Sequence, residues 1–470
     1  MSILVLDCGT SALKATAFAP DGAILASAEA AYPAAVAHRQ SPEAWWNAAI
    51  AAVQDLPPLD FRAIALTGTM ENLIPAAEDG SPLGDALLYT SPCGAPYLER
   101  LRAELEVADA ATIAGNAPEP LMTAFKLAWL RDNEPDHYAQ ARWFFPGSKD
   151  FLALRLTGRA ATDASCAATT GLMDLRTRQW SEPLLDLYDV DRARLPEILP
   201  ATSVVGMLTR TAAAALDIAP GIPVINGCGD GAATTIGSGA ERSDDVSLYL
   251  GTSGWVARVA ARDSAGPRPF YRLPHPLIEG VIEIAPIISG GGAAQWARET
   301  LGLELDTAER LAAETDAAPG EALFLPYLSG ERSPFTDLDL RAGFVGVSAS
   351  DGPGSLYYAA LEGVAFAIAA NLAAMGGAGS GTVSLVGGGA LSQVWPAIIA
   401  DVLNLPISVP ANPVSATNSG AFRIAARALG LGDAARPSVR LFQPRAARRE
   451  RIELLSRRFA AATQFLRSIA

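Results

Sequence analysis

The chain has 470 residues, of which half are hydrophobic and 18% charged, with a formal net charge of −14. That length exceeds one core and predicts two domains, and the composition is globular rather than disordered. An acidic chain without a basic block excludes duplex nucleic acid and an anionic membrane surface as partners.

Cys8, Cys93, Cys166 and Cys228 are scattered, and His38, His137 and His275 are the only histidines. This spacing builds no zinc or disulfide framework and fits a reduced cytoplasm. Asp7 interrupts the opening apolar run and no basic region precedes it, so the start does not read as a secretory signal.

Taken in order, residues 3–30 read as strands joined by "CGTSAL" and "PDGA". "SPEAWWNAAIAAVQDL" predicts a helix with Ser41 as N-cap, Pro42 in first place and Glu43 in the first turn. "AIALTGTM" is a buried strand, and residues 95–200 are mostly helical. "IPVINGCGDGAATTIGSGA" is a strand opening into a glycine-rich turn and a helix, closing a first half near Ser238. "DVSLYLGTSGWVARV" then repeats the opening pattern of strand, Gly-Thr-Ser turn and strand. "APIISGGGAAQWARETLG" and "TVSLVGGGALSQVWPAIIADVLNLPISVP" each give a strand, a glycine run and a helix before a helical tail. Residues 355–375 are long enough to span a bilayer. Glu362 and Asn371 inside that stretch, without a cationic flank, predict instead a helix buried between domains. The expectation is an α/β chain with domains at residues 1–240 and 241–470.

The two Gly-Thr turns suit phosphate. Backbone N–H groups approach an anion closely only where no Cβ intervenes. Gly9, Thr10 and Ser11 in one turn, and Gly251, Thr252 and Ser253 in the other, combine such groups with hydroxyl donors. Lys14 adds a charge, and Asp7 suits a Mg²⁺ shell through water. Either turn alone reads as an ordinary hairpin; the pair with Lys14 favours phosphate. Lys14, Lys126 and Lys149 are the only lysines, and for the last two a functional and an incidental role stand level. Asp230, between Gly229 and Gly231 at a strand end, is placed to take a proton from a hydroxyl, or to cap the next helix. Gly388 and Gly389, with Gln393 one helical turn on, suit a flat nucleobase or ribose, or a close strand-to-helix packing turn. There is no G-x-x-x-x-G-K-[S/T] and no G-x-G-x-x-G, which removes a P-loop and weakens a dinucleotide site.

These segments resemble, nearly end to end, the FGGY family of carbohydrate kinases, of the actin, hexokinase and heat-shock ATPase superfamily. "LDCGTSALKA" and "LGTSG" look like its two phosphate hairpins, and "FKLAWLRDNEP", "KDFLALRLTG" and "ATDASCAATTGLMDLRTRQWS" like its middle segments. "GCGDGAA" looks like the catalytic-Asp segment, and "LPYLSGERSPFTDLDLRAGFVGV" is close to the xylulokinase pattern. The resemblance implies two ribonuclease-H-like domains with ATP in a cleft between them, and Asp230 as general base on a sugar hydroxyl. It implies Asp7 and Asp230 facing Mg²⁺ through water. ATP contacts fall to Gly9, Thr10, Ser11, Lys14, Gly251, Thr252, Gly291, Gln295, Gly388, Gly389 and Gln393. Relatives commonly dimerise, so a homodimer is open.

The sugar pocket departs from the subgroup. Xylulokinases usually carry Gln-Met-His-Gly where this chain has Thr69-Met70-Glu71-Asn72, and Trp-Asn-Asp-x-Arg where it has Tyr89-Thr90-Ser91-Pro92-Cys93. Glycerol kinases have Arg-Glu at the first place, so Glu71 keeps half of that pair. Met70 and Glu71, with Asp230, are the expected substrate contacts. D-xylulose is the first substrate, with another ketose, a polyol such as glycerol or erythritol, or an aldonate such as gluconate open. A non-catalytic ATP-driven switch would share the hairpins but has no use for "SGERSPF" or a pocket Glu beside the Asp.

Overall fold

The computed structural model describes residues 2–262, 270–378, 381–432 and 438–469. The chain divides into two units, Met1–Gly237 with Ala261–Ile282 and Thr417–Arg436, and Ser238–Ala260 with Glu283–Ala416 and Pro437–Ala470. The expected boundary at 240/241 lies close to the first crossing, but two later segments return to the first unit.

In the first unit, β1 (Ser2–Cys8), β2 (Ala12–Phe18), β3 (Ile24–Ala31), β4 (Phe61–Gly68), β5 (Val204–Met207) and β6 (Pro223–Gly229) form one sheet. Its order is β3-β2-β1-β4-β6-β5, with β1, β4 and β6 parallel and the hairpins β1–β2 and β2–β3 antiparallel. The central strands carry near-continuous apolar runs because both faces are covered. β3 alternates half-buried and exposed residues, as a sheet edge does. Helix α1 (Pro42–Gln54) starts where expected, although Ser41 makes no side-chain capping bond. It joins α2 (Thr123–Asn133), α3 (Ser148–Thr157), α4 (Ala164–Ala168) and α5 (Asp230–Gly237). Trp45 of α1 meets Phe151 of α3 edge to face, ring centroids 6.4 Å apart, in the core above the sheet.

The returning segments are anchored by specific contacts. Phe422, on the helix Ala416–Ala428, stacks on Phe18 with centroids 4.7 Å apart, and Asn418 Nδ2 donates to Thr16 Oγ1 at 2.7 Å. Arg272 N–H donates to Asn116 Oδ1 at 2.7 Å, and Asn116 Nδ2 donates back to Arg272 O at 3.0 Å.

The second unit repeats the plan. Strands β7 (Val246–Leu250), β8 (Gly254–Ala260), β9 (Val281–Ile287), β10 (Val383–Val386), β11 (Ile407–Pro410) and β12 (Val439–Phe442) run in the order β9-β8-β7-β10-β11-β12. β7 pairs antiparallel with β8 and parallel with β10, and β10 is parallel to β11. This is the ribonuclease-H-like order of the first unit, with one change: the outer antiparallel strand follows β11 instead of preceding its counterpart. Helices α6 (Gly291–Thr300), α7 (Leu305–Ala317), α8 (Pro353–Ala374), α9 (Trp395–Leu403) and α10 (Arg449–Ile469) complete the unit.

The apolar stretch flagged in the sequence is α8, the one helix among the described residues long and apolar enough to cross a membrane; 78% of that stretch is buried. It packs on α7, α9 and the strand Leu323–Leu325, so it is the core helix of the second unit rather than a helix between domains. Its polar residues are satisfied there. Glu362 accepts from both terminal nitrogens of Arg451, at 2.6 and 2.9 Å, and Asn371 Oδ1 accepts from Ser333 Oγ at 2.5 Å. Burial, with a smaller push from the Asp401 charge, holds the Glu362 carboxyl above its ordinary range, against the pull of Arg451 and Arg448.

Removing one partner of that buried pair leaves a charge without compensation. Arg451→Ala should lower the unfolding free energy by about 3 kcal/mol in urea titrations, and adding Glu362→Gln should recover part of the loss. Independent, additive losses would contradict the pairing.

Candidate active site

The C-terminal ends of β1, β4 and β6 bring three sequence segments together, as open α/β sheets do. The register places Asp7 beside Thr67 and Cys8 beside Gly68, while Gly229 lies beside Gly68 from the other side. Asp230 therefore begins α5 directly beyond β6, and Asp7 nears the end of β1. Asp230 Oδ1 accepts the Gly231 N–H at 2.8 Å, so its side chain turns back on its own helix start. Burial, and then the charge of Asp7, push the Asp230 carboxyl up to about 7, against the Gly231 N–H. Burial raises Asp7 to about 6, with Lys14 opposing and Glu29 adding. Lys14 stands directly across from Asp7 on β2 and shares its ammonium with Glu29 at 3.5 Å. Gly9, Thr10 and Ser11 form the turn between them; Thr10 and Ser11 are exposed, and Thr10 Oγ1 lies 3.3 Å from the Tyr89 hydroxyl.

The segment after β4 forms the adjoining wall. Thr69 N–H donates to Cys8 O at 3.1 Å, which ties this wall to the end of β1. The Met70 thioether packs directly over Gly229. Glu71 is buried and holds φ at 59°, an uncommon value for a residue with a Cβ. Lys126 on α2 supports that conformation: its Nζ donates to Glu71 O at 2.5 Å and also to Leu121 O. Burial lowers Lys126 to about 8, with Glu71, Cys93 and Glu119 opposing. Asn72 Oδ1 accepts the Tyr89 N–H at 3.0 Å, which brings the second departing segment, Tyr89 to Cys93, to the same wall.

In the second unit the matching hairpin turn is Gly251 to Ser253. Gly291 N–H donates to Gly251 O at 2.8 Å and Gly292 N–H to Thr252 O at 2.7 Å. A Cβ on Gly291 would lie 2.3 Å from Gly251 O, so the glycine run is there to let α6 start against the turn. Gln295 is exposed on α6 and bonds Glu299 at 2.8 Å. Gly389 packs against Leu250, whereas Gly388 is exposed with no heavy atom within 4 Å of an added Cβ. The chain after these glycines is a short 3₁₀ turn, Gly388–Leu391, and α9 starts only at Trp395, so Gln393 lies in the connection and not one turn into a helix. Its N–H donates to Glu309 Oε2 at 3.1 Å.

One residue of this half escaped sequence reasoning. Glu331, in "SGERSPF", is buried and accepts the Ile288 N–H at 3.1 Å and the Arg332 N–H at 2.9 Å. It thereby fixes the chain entering the glycine run. Burial pushes its carboxyl to about 7 against the Arg332 and Ile288 N–H groups. The signal was an acidic residue in a segment otherwise without an assigned task.

The remaining lysine is structural. Lys149 is fully buried, 2.7 Å from Asp150 Oδ1 and 3.2 Å from Asp163 Oδ1. Burial alone would lower its pKa, but Asp150 and Asp163 outweigh that and hold it as an ammonium. Asp150, Asp163 and Cys166 lie close enough together to bind a cation, and this ammonium supplies the charge they need.

The family model described as "FGGY family of carbohydrate kinases, N-terminal domain" matches residues 2–237, and the C-terminal domain model matches residues 250–429. The chain is 32% identical over 410 residues to the xylulose kinase of Escherichia coli K12, covering 84% of each. It is 30% identical over 478 residues to the glycerol kinase of Gloeobacter violaceus, covering 94% of this chain and 92% of that one. The crystal structure titled as a "xyloylose kinase" from Brucella ovis superposes with a TM-score of 0.92 at 29% identity, covering 100% of both chains.

The raised pKa of Asp230 has a consequence for stability. A carboxyl whose folded value lies above its unfolded 3.8 costs stability progressively as pH rises from about 3.8, and the full cost is reached above about 7. Asp230→Asn should therefore raise the melting temperature of the ligand-free protein at pH 8, with a smaller gain at pH 5. A gain that is absent at pH 8, or larger at pH 5, would contradict the burial of that charge.

Proposed function

Because the chain belongs to the FGGY family of carbohydrate kinases and is itself a carbohydrate kinase, we propose that Asp230 is the base that activates the substrate hydroxyl for attack on ATP. One observation carries this: Asp230 stands at the end of a central strand, one strand away from Asp7, with Met70 packed over the preceding Gly229, and burial and the Asp7 charge raise its carboxyl to about 7. A base is most effective with its pKa near the working pH. Asp230 would take the proton of the attacking hydroxyl while positioning and charge neutralisation carry the in-line transfer.

Phosphate contacts are assigned to Gly9, Thr10, Ser11 and Lys14, and to Gly251 and Thr252. Gly291 supports the second turn through its bond to Gly251. The open face at Gly388, with Gly389, Gln295 and Gln393, is assigned to the adenosine. Asp7 and Asp230 fit a hard divalent cation, because both offer only oxygen and the Asp7 charge raises the cost of charge on Asp230. They would hold Mg²⁺ through water, and the ion would neutralise charge on the phosphates. The reading places the enzyme in the cytoplasm, where ATP is available and where four free cysteines persist.

For the sugar, the ketose class of D-xylulose comes first, following the relatives named above, with D-xylulose itself a mediocre substrate because Glu71 departs from the xylulokinase pattern. A neutral polyol is the second reading, favoured by Glu71: a carboxylate only accepts, and vicinal hydroxyls are its natural donors. An aldonate fits least, since its carboxylate would meet Asp7, Glu71 and Asp230 while the Lys126 ammonium is already engaged by two carbonyls.

Asp230→Asn should lower kcat by about 10²–10⁴ and leave Mg-ATP affinity within a few-fold. Near-normal turnover would overturn the base assignment. The rate should rise with pH through the Asp230 pKa, at or below about 7 once the cation is bound. In an ADP-release panel of pentuloses, polyols and aldonates, D-xylulose should be outperformed by another neutral substrate, whose KM rises in Glu71→Gln with a weaker effect on ATP. D-xylulose as best substrate with a silent Glu71→Gln would remove Glu71 from the pocket and leave the kinase reading intact.

A further inference from the structure

Asp230 owes its position to an irregularity in β6. Ile225 pairs with Ala65 of β4, but the next pair is Cys228 with Thr67, so Asn226 and Gly227 together face the single residue Leu66. This is a β-bulge, and one extra residue changes the face to which every later side chain points. Gly227 holds φ at 66°, and a Cβ there would lie 1.7 Å from Leu66 O, so only glycine completes the bulge.

Two buried attachments hold the bulge and the strand beyond it. Within the bulge, Asn226 Nδ2 donates to Thr162 O and Leu199 O, each at 3.0 Å. Downstream, Gly229 N–H, one residue before Asp230, donates to Ser165 Oγ at 3.0 Å. Ser165 is itself fixed: its hydroxyl donates to Asp163 Oδ2 at 2.5 Å and its N–H to the same oxygen at 2.7 Å. Lys149 joins the two attachments, with Nζ 3.2 Å from Asp163 Oδ1 and 3.4 Å from Asn226 Oδ1. Asp150 completes the group by accepting from Lys149 at 2.7 Å and from Thr162 Oγ1 at 2.8 Å. Lys149, Asp150, Asp163, Ser165 and Asn226 are all essentially inaccessible to solvent.

We infer that Ser165 is a positioning residue for Asp230, fixing the Gly229 N–H and through it the direction in which the carboxylate leaves the strand. The buried ion group of Lys149, Asp150 and Asp163 keeps Ser165 and the bulge in a fixed relation. The inference rests on Asp230 as the base. Ser165 touches no reacting atom; it acts through the backbone next to one that does. Small displacements of a base cost rate rather than affinity, so the effect belongs in kcat.

The test is a double-mutant cycle with Ser165→Ala and Asp230→Asn, using ATP and the best substrate of the panel. Ser165→Ala alone should lower kcat by about 5–30-fold, with KM for both substrates within two-fold. In the Asp230→Asn background the same change should alter residual turnover less than two-fold, because there is no longer a carboxylate to aim. Equal losses in both backgrounds, or no loss in the first, overturn the inference. Near-normal turnover of Asp230→Asn by itself instead overturns the base assignment, which separates the two failures. If Ser165→Ala does not fold, Ser165→Cys keeps the volume with a weaker acceptor and supports the same comparison, with a smaller loss in kcat.

Discussion

Two carboxylates at strand ends with too little positive charge between them set the terms for the first unit. Asp7 and Asp230 lie at the ends of strands on either side of β4, both raised by burial, and the Asp7 charge raises Asp230 further. Lys14 is the cation opposite Asp7, and it is shared with Glu29. Such an arrangement costs stability in the empty protein and is retained only where a ligand supplies the missing charge. A divalent cation is a ligand of that kind. The frame around Asp230 is correspondingly fixed: a bulge, a glycine without room for a Cβ, and a fully buried ion group.

The second unit uses the same strand order for a different purpose. Its hairpin turn carries no carboxylate or lysine; its donors come from backbone and hydroxyls, and its shape comes from α6 starting against it. Glu331 is a buried acid of this half, and it binds backbone N–H groups. The first unit thus places charge at its strand ends, whereas the matching turn of the second is built from neutral groups. The repeated Gly-Thr hairpin in the sequence is the surviving trace of the shared plan.

Much of this was legible because local chemistry determines it. The hairpins at Gly9 and Gly251, the strand ending at Asp230 and the apolar course of α8 follow from turn residues and periodicity. Features made by contacts distant in sequence were not legible. Nothing near Thr417 announces that Phe422 stacks on Phe18, so the simple two-part division missed the returning segments. Lys126 and Lys149 could not be ranked from sequence, since their burial depends on carbonyls and carboxylates that only the fold brings near. The bulge at Asn226 and Gly227 shows only as one more glycine in a glycine-rich stretch. The placement of Gln393 before α9 was likewise hidden, because Ser392 and Trp395 start that helix later than the apolar pattern suggests.

The central claim is that the Asp7 and Asp230 pair is short of positive charge until its ligands bind. Its most direct measurement is a carboxyl titration by ¹³C NMR on Asp-labelled protein, with Asp7→Asn and Asp230→Asn supplying the assignments. In the free protein the Asp230 carboxyl should titrate near 7, and in Asp7→Asn it should move down, since the Asp7 charge is one of its two raising causes. Mg-ADP should lower it by more than one unit, as a nearby divalent cation favours the ionised form. An Asp230 that titrates below about 5 in the free protein, or ignores both the substitution and the nucleotide, would contradict the account.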